Sequence, residues 1–212
     1  MAKAIKVYEI LKEEYPDAKC GLDYHTPFQL LISTMLSAQA TDKSVNKVTE
    51  DLYKQYPDLE SFLTLTQEEI EEKIKKIGLY KNKSKNIYIM LRELEERFGG
   101  QVPKNMEDLM SLPGVGRKTA SVVLVEAFNI PAFPVDTHVF RVTRRIGIAS
   151  ENTPDKVSDE MMKKLPKKYY HLMHHLLITH GRQTCTAQNP KCEKCCLKEI
   201  CKYYKIEFKN RK

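Results

Sequence analysis

No apolar run in the 212-residue sequence approaches the roughly 18 residues that a membrane-crossing helix needs. The first 19 residues are charged and amphipathic, unlike a signal peptide, so the expectation is a cytoplasmic protein. Convincing period-two alternation is also missing, which excludes a sheet-based fold. Low-complexity sequence is confined to a short basic end, FKNRK, read as a solvated terminus. Cysteine is scarce over most of the chain: of six, five fall between positions 185 and 201. That distribution excludes a disulfide framework spread through the fold, and a reducing compartment argues against disulfides in any case.

Helical patterning fills the chain. Apolar residues recur at three- and four-residue spacing over 5–15, 27–37, 42–55, 67–77, 83–98, 117–128, 136–146, 154–165 and 169–180, which predicts an all-α fold. Thr26 before Pro27 and Thr153 before Pro154 pair a capping hydroxyl with proline at the first helical position, and Thr66 with Glu69 has capping-box spacing. The best internal boundary is NIPAFPVDTH, residues 129–138, where two prolines interrupt the pattern. Thirty-five Lys and Arg against 28 Asp and Glu give a formal charge of +7, which favours a polyanionic partner.

Three local patterns carry chemistry. In LPGVGRKTASVVL, residues 112–124, Gly114 and Gly116 permit positive φ and close backbone approach, with Val115 between them. The helix behind them points unpaired N–H groups into the same space, an anion site suited to a nucleic-acid phosphate, with Arg117 beside it. Lys118 then stands where the positive end of the helix dipole disfavours a cation. In the second pattern, Cys185, Cys192, Cys195 and Cys201 are separated by six, two and five residues, so four thiolates can close on one centre, zinc or iron-sulfur. Cys196 could replace Cys195 with a one-residue shift. The third is a faint echo: KKIGLYKNKSKNI, residues 75–87, repeats the glycine turn between apolar helices with a basic residue after it. His171, His174 and His175 have helical spacing but no carboxylate in register, and packing is the better reading.

LPGVGRKTASVVL followed by VDTHVFRV, with LLISTMLSAQATD, IGLYKNKSKNI and the cysteine spacing, resembles the helix-hairpin-helix DNA glycosylase superfamily, and within it the endonuclease III family. The resemblance runs through almost the whole chain. It implies two helical lobes with the active site in the cleft between them: a helical barrel over 20–130 carrying the hairpin, and an iron-sulfur lobe formed by 1–19 and 131–212. It implies a monomer that removes oxidised pyrimidines from damaged double-stranded DNA and cleaves the abasic strand, nucleoid-associated if the source is prokaryotic.

The residue roles follow from the same resemblance. Lys118 is the nucleophile that forms a Schiff base and Asp136 the catalytic carboxylate, whose alternative is a plain helix cap. Gln39 fills the gap left by the flipped base, Leu79 is an apolar wedge, and Asp42 and His138 line the base pocket. The four cysteines hold a 4Fe-4S cluster. Lys191, on the loop between the first two, faces the DNA backbone, while Asn189 stands where relatives often have a basic residue. The alternatives are a monofunctional adenine or mismatch-thymine glycosylase, which generally lacks the lysine, and a non-catalytic DNA-binding iron-sulfur module, which leaves Asp136 without a task.

Overall fold

A computed structural model of the chain describes residues 1–208; residues 209–212, most of the basic end, lie outside them. Eleven α-helices account for most of the described residues, and none of these is in a strand, as the periodicity predicted. In order they are α1 Ala2–Glu14, α2 Pro27–Leu36, α3 Asp42–Gln55, α4 Leu59–Leu63, α5 Gln67–Ile74, α6 Tyr80–Phe98, α7 Met106–Ser111, α8 Arg117–Ala127, α9 Thr137–Ile146, α10 Pro154–Lys164 and α11 Tyr170–Gln183. Among the described residues no helix is long and apolar enough to cross a membrane.

The helix starts are set by side chains. Thr26 accepts the Gln29 N–H at 3.2 Å and Thr153 that of Lys156 at 3.4 Å, each ahead of a proline that has no N–H to satisfy. Thr66 and Glu69 complete both bonds of a capping box, at 3.2 and 2.8 Å. Caps of this kind stabilise a helix by about 1 kcal/mol each. The structure departs from the expected spans where a turn intervenes. Helix α5 stops at Ile74 rather than at 77, and α6 begins at Tyr80 rather than 83, because Leu79 takes a left-handed conformation between them. Helices α4 and α7 were not expected, since five or six residues are too short to show a helical period.

The described chain divides into two compact units, Cys20–Ile130 and Met1–Lys19 with the described residues from Pro131. At the centre of the first lies α2, buried at every position from Phe28 to Leu36 and packed by α3, α6 and α8. A helix buried on every side is the centre of a core, and each fully buried Leu or Ile on it stabilises the fold by about 1.5–3 kcal/mol. The second unit gathers α1, α9, α10 and α11 on a core that includes Leu11, Val139, Val142, Met161 and Leu176. Helices α9 and α11 pack closely at Gly181, where a Cβ would lie 3.0 Å from His138 Cβ.

Candidate active site and cysteine centre

Helices α7 and α8 form a hairpin closed by the Val115 N–H to Leu112 carbonyl bond, 3.1 Å. The two glycines differ in kind. Gly114 has φ +78, and a Cβ there would lie 2.9 Å from Asn86 Cβ, so conformation and packing both demand glycine. Gly116 has φ −89 and open space where its Cβ would be, so the expected positive φ is absent at this position. Gly116 is the N-cap of α8, where glycine is tolerated, and its open Cβ position lets a guest approach the backbone. Val115 is 5% exposed, so only its backbone can meet a partner. Helix α8 has no side-chain cap and no acidic residue in its first turn, which leaves its N-terminal N–H groups suited to an anion. Arg117 and Lys118, both half-buried, are its first two residues.

Four described non-glycine residues have positive φ: Gln39, Leu79, Asn129 and Asn189. Asparagine tolerates that region; glutamine and leucine do so at a cost of about 1–2 kcal/mol. The two strained residues are the two nominated to fill space in opened DNA. Both side chains are exposed, Leu79 to 56%, which is costly for a leucine in water unless a partner covers it. Their turns are neighbours, with the Cβ position of Gly78 3.8 Å from the Gln39 carbonyl. A residue missed in the sequence holds this region: buried Lys83 donates its Nζ to the carbonyls of Leu36 (2.8 Å) and Ala38 (2.6 Å). Burial holds its ammonium below the usual lysine value. Its only signal in the sequence is register, since Lys83 falls on the same helical face as Ile87, Met90 and Leu94.

Asp42 opens α3, and its Oδ2 lies 2.7 Å from where a Cβ on Gly21 would be, so the carboxylate closes on a bare backbone. Beside it, burial pushes the Cys20 thiol up to about 11, with Glu126 and Asp42 adding to the rise and Lys118 opposing it. The structure thus brings Asp42, Glu126 and Lys118 within electrostatic range of Cys20. Glu126, in the last turn of α8, was not singled out by motif.

In the other unit Asp136 caps α9, its Oδ1 accepting the Val139 N–H at 2.7 Å. One turn on, Arg141 donates from Nη2 to His138 Nδ1 (3.1 Å) and to the Gly181 carbonyl (2.9 Å), and from Nε to the Cys185 carbonyl (3.0 Å). A guanidinium only donates, so Nδ1 of His138 is the acceptor in that contact. Burial first, then Arg141 and Arg182, hold His138 below its ordinary value, against the opposing pull of Asp136. Arg141 therefore ties the helix that Asp136 caps to the first cysteine of the cluster. It was missed because only its spacing from Arg145, i to i+4, marks a shared face.

Arg145 orders the loop after Cys185 through the carbonyls of Thr186 (2.7 Å) and Ala187 (3.0 Å), leaving Asn189 and Lys191 exposed. Cys185, Cys192, Cys195 and Cys201 line one cavity with Ile146, His180 and Leu197, and Cys196 is not among its lining residues. None of the six cysteines is in a disulfide. Burial, then the neighbouring Cys185, Cys195 and Cys201, push the Cys192 thiol up to about 11. Four such sulfurs cannot stay ionised together without a cation between them, and a soft metal centre satisfies that donor set.

A family model of HhH-GPD superfamily base excision DNA repair proteins matches residues 32–167. The chain is 45% identical to endonuclease III of Synechocystis sp. over 94% of its length and 91% of that protein. Among solved structures it resembles a trapped endonuclease III-DNA covalent intermediate, with a TM-score of 0.91 and 41% identity over 98% of this chain and 96% of that one. It also resembles a thermostable thymine-DNA glycosylase, with a TM-score of 0.86 and 26% identity over 96% and 97%.

Proposed function

The chain belongs to the endonuclease III family of HhH-GPD base excision repair proteins, and from that premise we infer that it is a bifunctional DNA glycosylase and abasic-site lyase acting on oxidised pyrimidines in damaged duplex DNA. It works in the cytoplasm. The observation that carries the lyase half is an amine, Lys118, in the first turn of a helix whose start is uncapped and free of acidic residues.

Base removal requires the nucleotide to leave the stack. Exposed Leu79 and Gln39 occupy the space it vacates, already held in the conformations that present them. The hairpin N–H groups of residues 114, 116 and 117 hold a phosphate, and Lys191 adds a backbone contact from the cysteine loop. Asp42 and His138 face the extruded base. The neutral amine of Lys118 then attacks C1′. The C1′–N bond breaks with its electron pair going to the base, which takes a proton, and the sugar ring opens as the nitrogen forms an imine. The imine acidifies C2′; loss of that proton expels the 3′ phosphate, and hydrolysis frees the lysine. An ordinary lysine, of pKa near ~10.4, is neutral in fewer than about one molecule in a thousand at pH 7. The helix N-terminus and Arg117 both oppose its protonation. Asp136 spends one oxygen on the α9 cap, and its other oxygen serves the positive charge developing on the sugar.

Cys185, Cys192, Cys195 and Cys201 would hold a 4Fe-4S cluster, in keeping with a set of four soft, buried sulfurs. When bound it supplies a fixed crosslink between the end of α11 and the loop carrying Lys191. The likeness to a thymine-DNA glycosylase concerns the fold, and the amine at 118 favours the lyase.

Base release and strand scission, counted separately on a duplex with one thymine glycol, test this reading. Both should proceed together in the native protein and both should fall by at least about a thousandfold in Lys118→Gln. Release without scission in the native protein would replace it with the monofunctional reading.

A further inference from the structure

A line of hydrogen bonds reaches the cysteine centre from the first helix of the chain. Tyr15 Oη lies 3.0 Å from His180 Nδ1 and 3.0 Å from Thr184 Oγ1, and His180 Nε2 lies 3.6 Å from Cys195 Sγ. His180 is 1% exposed and Tyr15 9%. A metal-bound cysteine sulfur is a thiolate and can only accept. For that contact to be a hydrogen bond, Nε2 must carry the imidazole proton. Nδ1 of the neutral ring is then an acceptor, so the Tyr15 O–H must donate to it, and the Tyr15 oxygen in turn accepts the Thr184 hydroxyl proton. With the imidazole neutral, one ordering, Thr184 to Tyr15 to His180 to Cys195, satisfies every contact. The opposite tautomer would aim the Nε2 lone pair at the sulfur's own. Burial pushes the Tyr15 phenol up to about 12, so it keeps the proton it must donate.

We propose that Tyr15 and His180 are positioning residues for the cysteine-bound cluster: Tyr15 fixes the histidine tautomer, and the resulting Nε2–H bond to Cys195 Sγ raises the cluster's reduction potential. A hydrogen bond to a ligand sulfur withdraws electron density and stabilises the more negative, reduced state. Other donors reach these sulfurs, among them the Leu197 N–H to Cys195 at 3.4 Å, Arg145 Nη1 to Cys185 at 3.7 Å and the backbone N–H groups of Tyr203 and Tyr204 to Cys201. A peptide N–H and a guanidinium have no tautomer to choose. The His180 contact differs from these in that its sign depends on another residue, which lies 165 positions away in the sequence. Helix α1 thereby acts on the cluster's electronics as well as on the core.

The inference rests on the reading of the four cysteines as iron-sulfur ligands, so iron content and the visible absorption band come first. The midpoint potential of the holoprotein is then compared with those of Tyr15→Phe, which keeps the ring, and His180→Leu. Tyr15→Phe should shift the potential downward with iron content and helicity unchanged, and His180→Leu should shift it further. If His180→Leu fails to assemble, Tyr15→Phe decides alone. An unmoved or raised potential in Tyr15→Phe with native iron content overturns the inference. Native protein without iron overturns the cluster reading beneath it.

Discussion

Leu79 places a branched apolar side chain where the backbone favours glycine and where water covers most of it, so the folded chain gains little from it. Replacement by glycine removes the left-handed strain, and Leu79→Gly should raise stability by up to about 1 kcal/mol in urea unfolding. The same change should weaken binding to a damaged duplex by at least about tenfold, or about 1.4 kcal/mol. A variant both less stable and undiminished in affinity would make Leu79 a structural residue. The cysteines allow a comparably sharp contrast. Cys195→Ser should lose iron and the visible absorption band, whereas Cys196→Ser, which changes a sulfur outside the lining of the cavity, should retain both. The reverse outcome would shift the ligand register by one residue.

At the scale of elements, the hairpin separates a glycine the fold needs from one whose open Cβ position leaves room for a partner. Gly114→Ala meets both an unfavourable φ and the Asn86 side chain, and should destabilise the protein by about 2 kcal/mol or more. Gly116→Ala has room and an accessible φ, and should change stability by less than about 1 kcal/mol while weakening duplex binding. Denaturation midpoints set beside binding isotherms check the pair; equal losses of stability would remove the case for a phosphate at Gly116. The longer helices were legible because their caps and apolar periods are local: Thr26, Thr66 and Thr153 act within three residues. The left-handed turn at Leu79 was not legible, because it is held from elsewhere, by packing and by Lys83 reaching back 47 residues to Leu36. Arg141 was hidden for the same reason: its partners lie 40 and 44 residues on, and nothing near it in the sequence announces them.

Across the whole molecule, the inventory is shared between the two units. The hairpin, Lys118, Gln39, Leu79 and Asp42 lie in Cys20–Ile130, and Asp136, His138 and the clustered cysteines in the other. Local periodicity shows that residues 1–19 are amphipathic but not which core they serve; that assignment came with the resemblance. The chain's surplus of positive charge suits a polyanion without identifying one, and it is the amine at the helix start that gives the account its chemistry. The most direct measurement is borohydride trapping of the holoprotein on an end-labelled duplex carrying one thymine glycol, with the modified residue mapped by mass spectrometry. The account predicts a covalent protein-DNA adduct on Lys118 that disappears in Lys118→Gln. Base release by the native protein with no adduct, or an adduct on another residue, would contradict it.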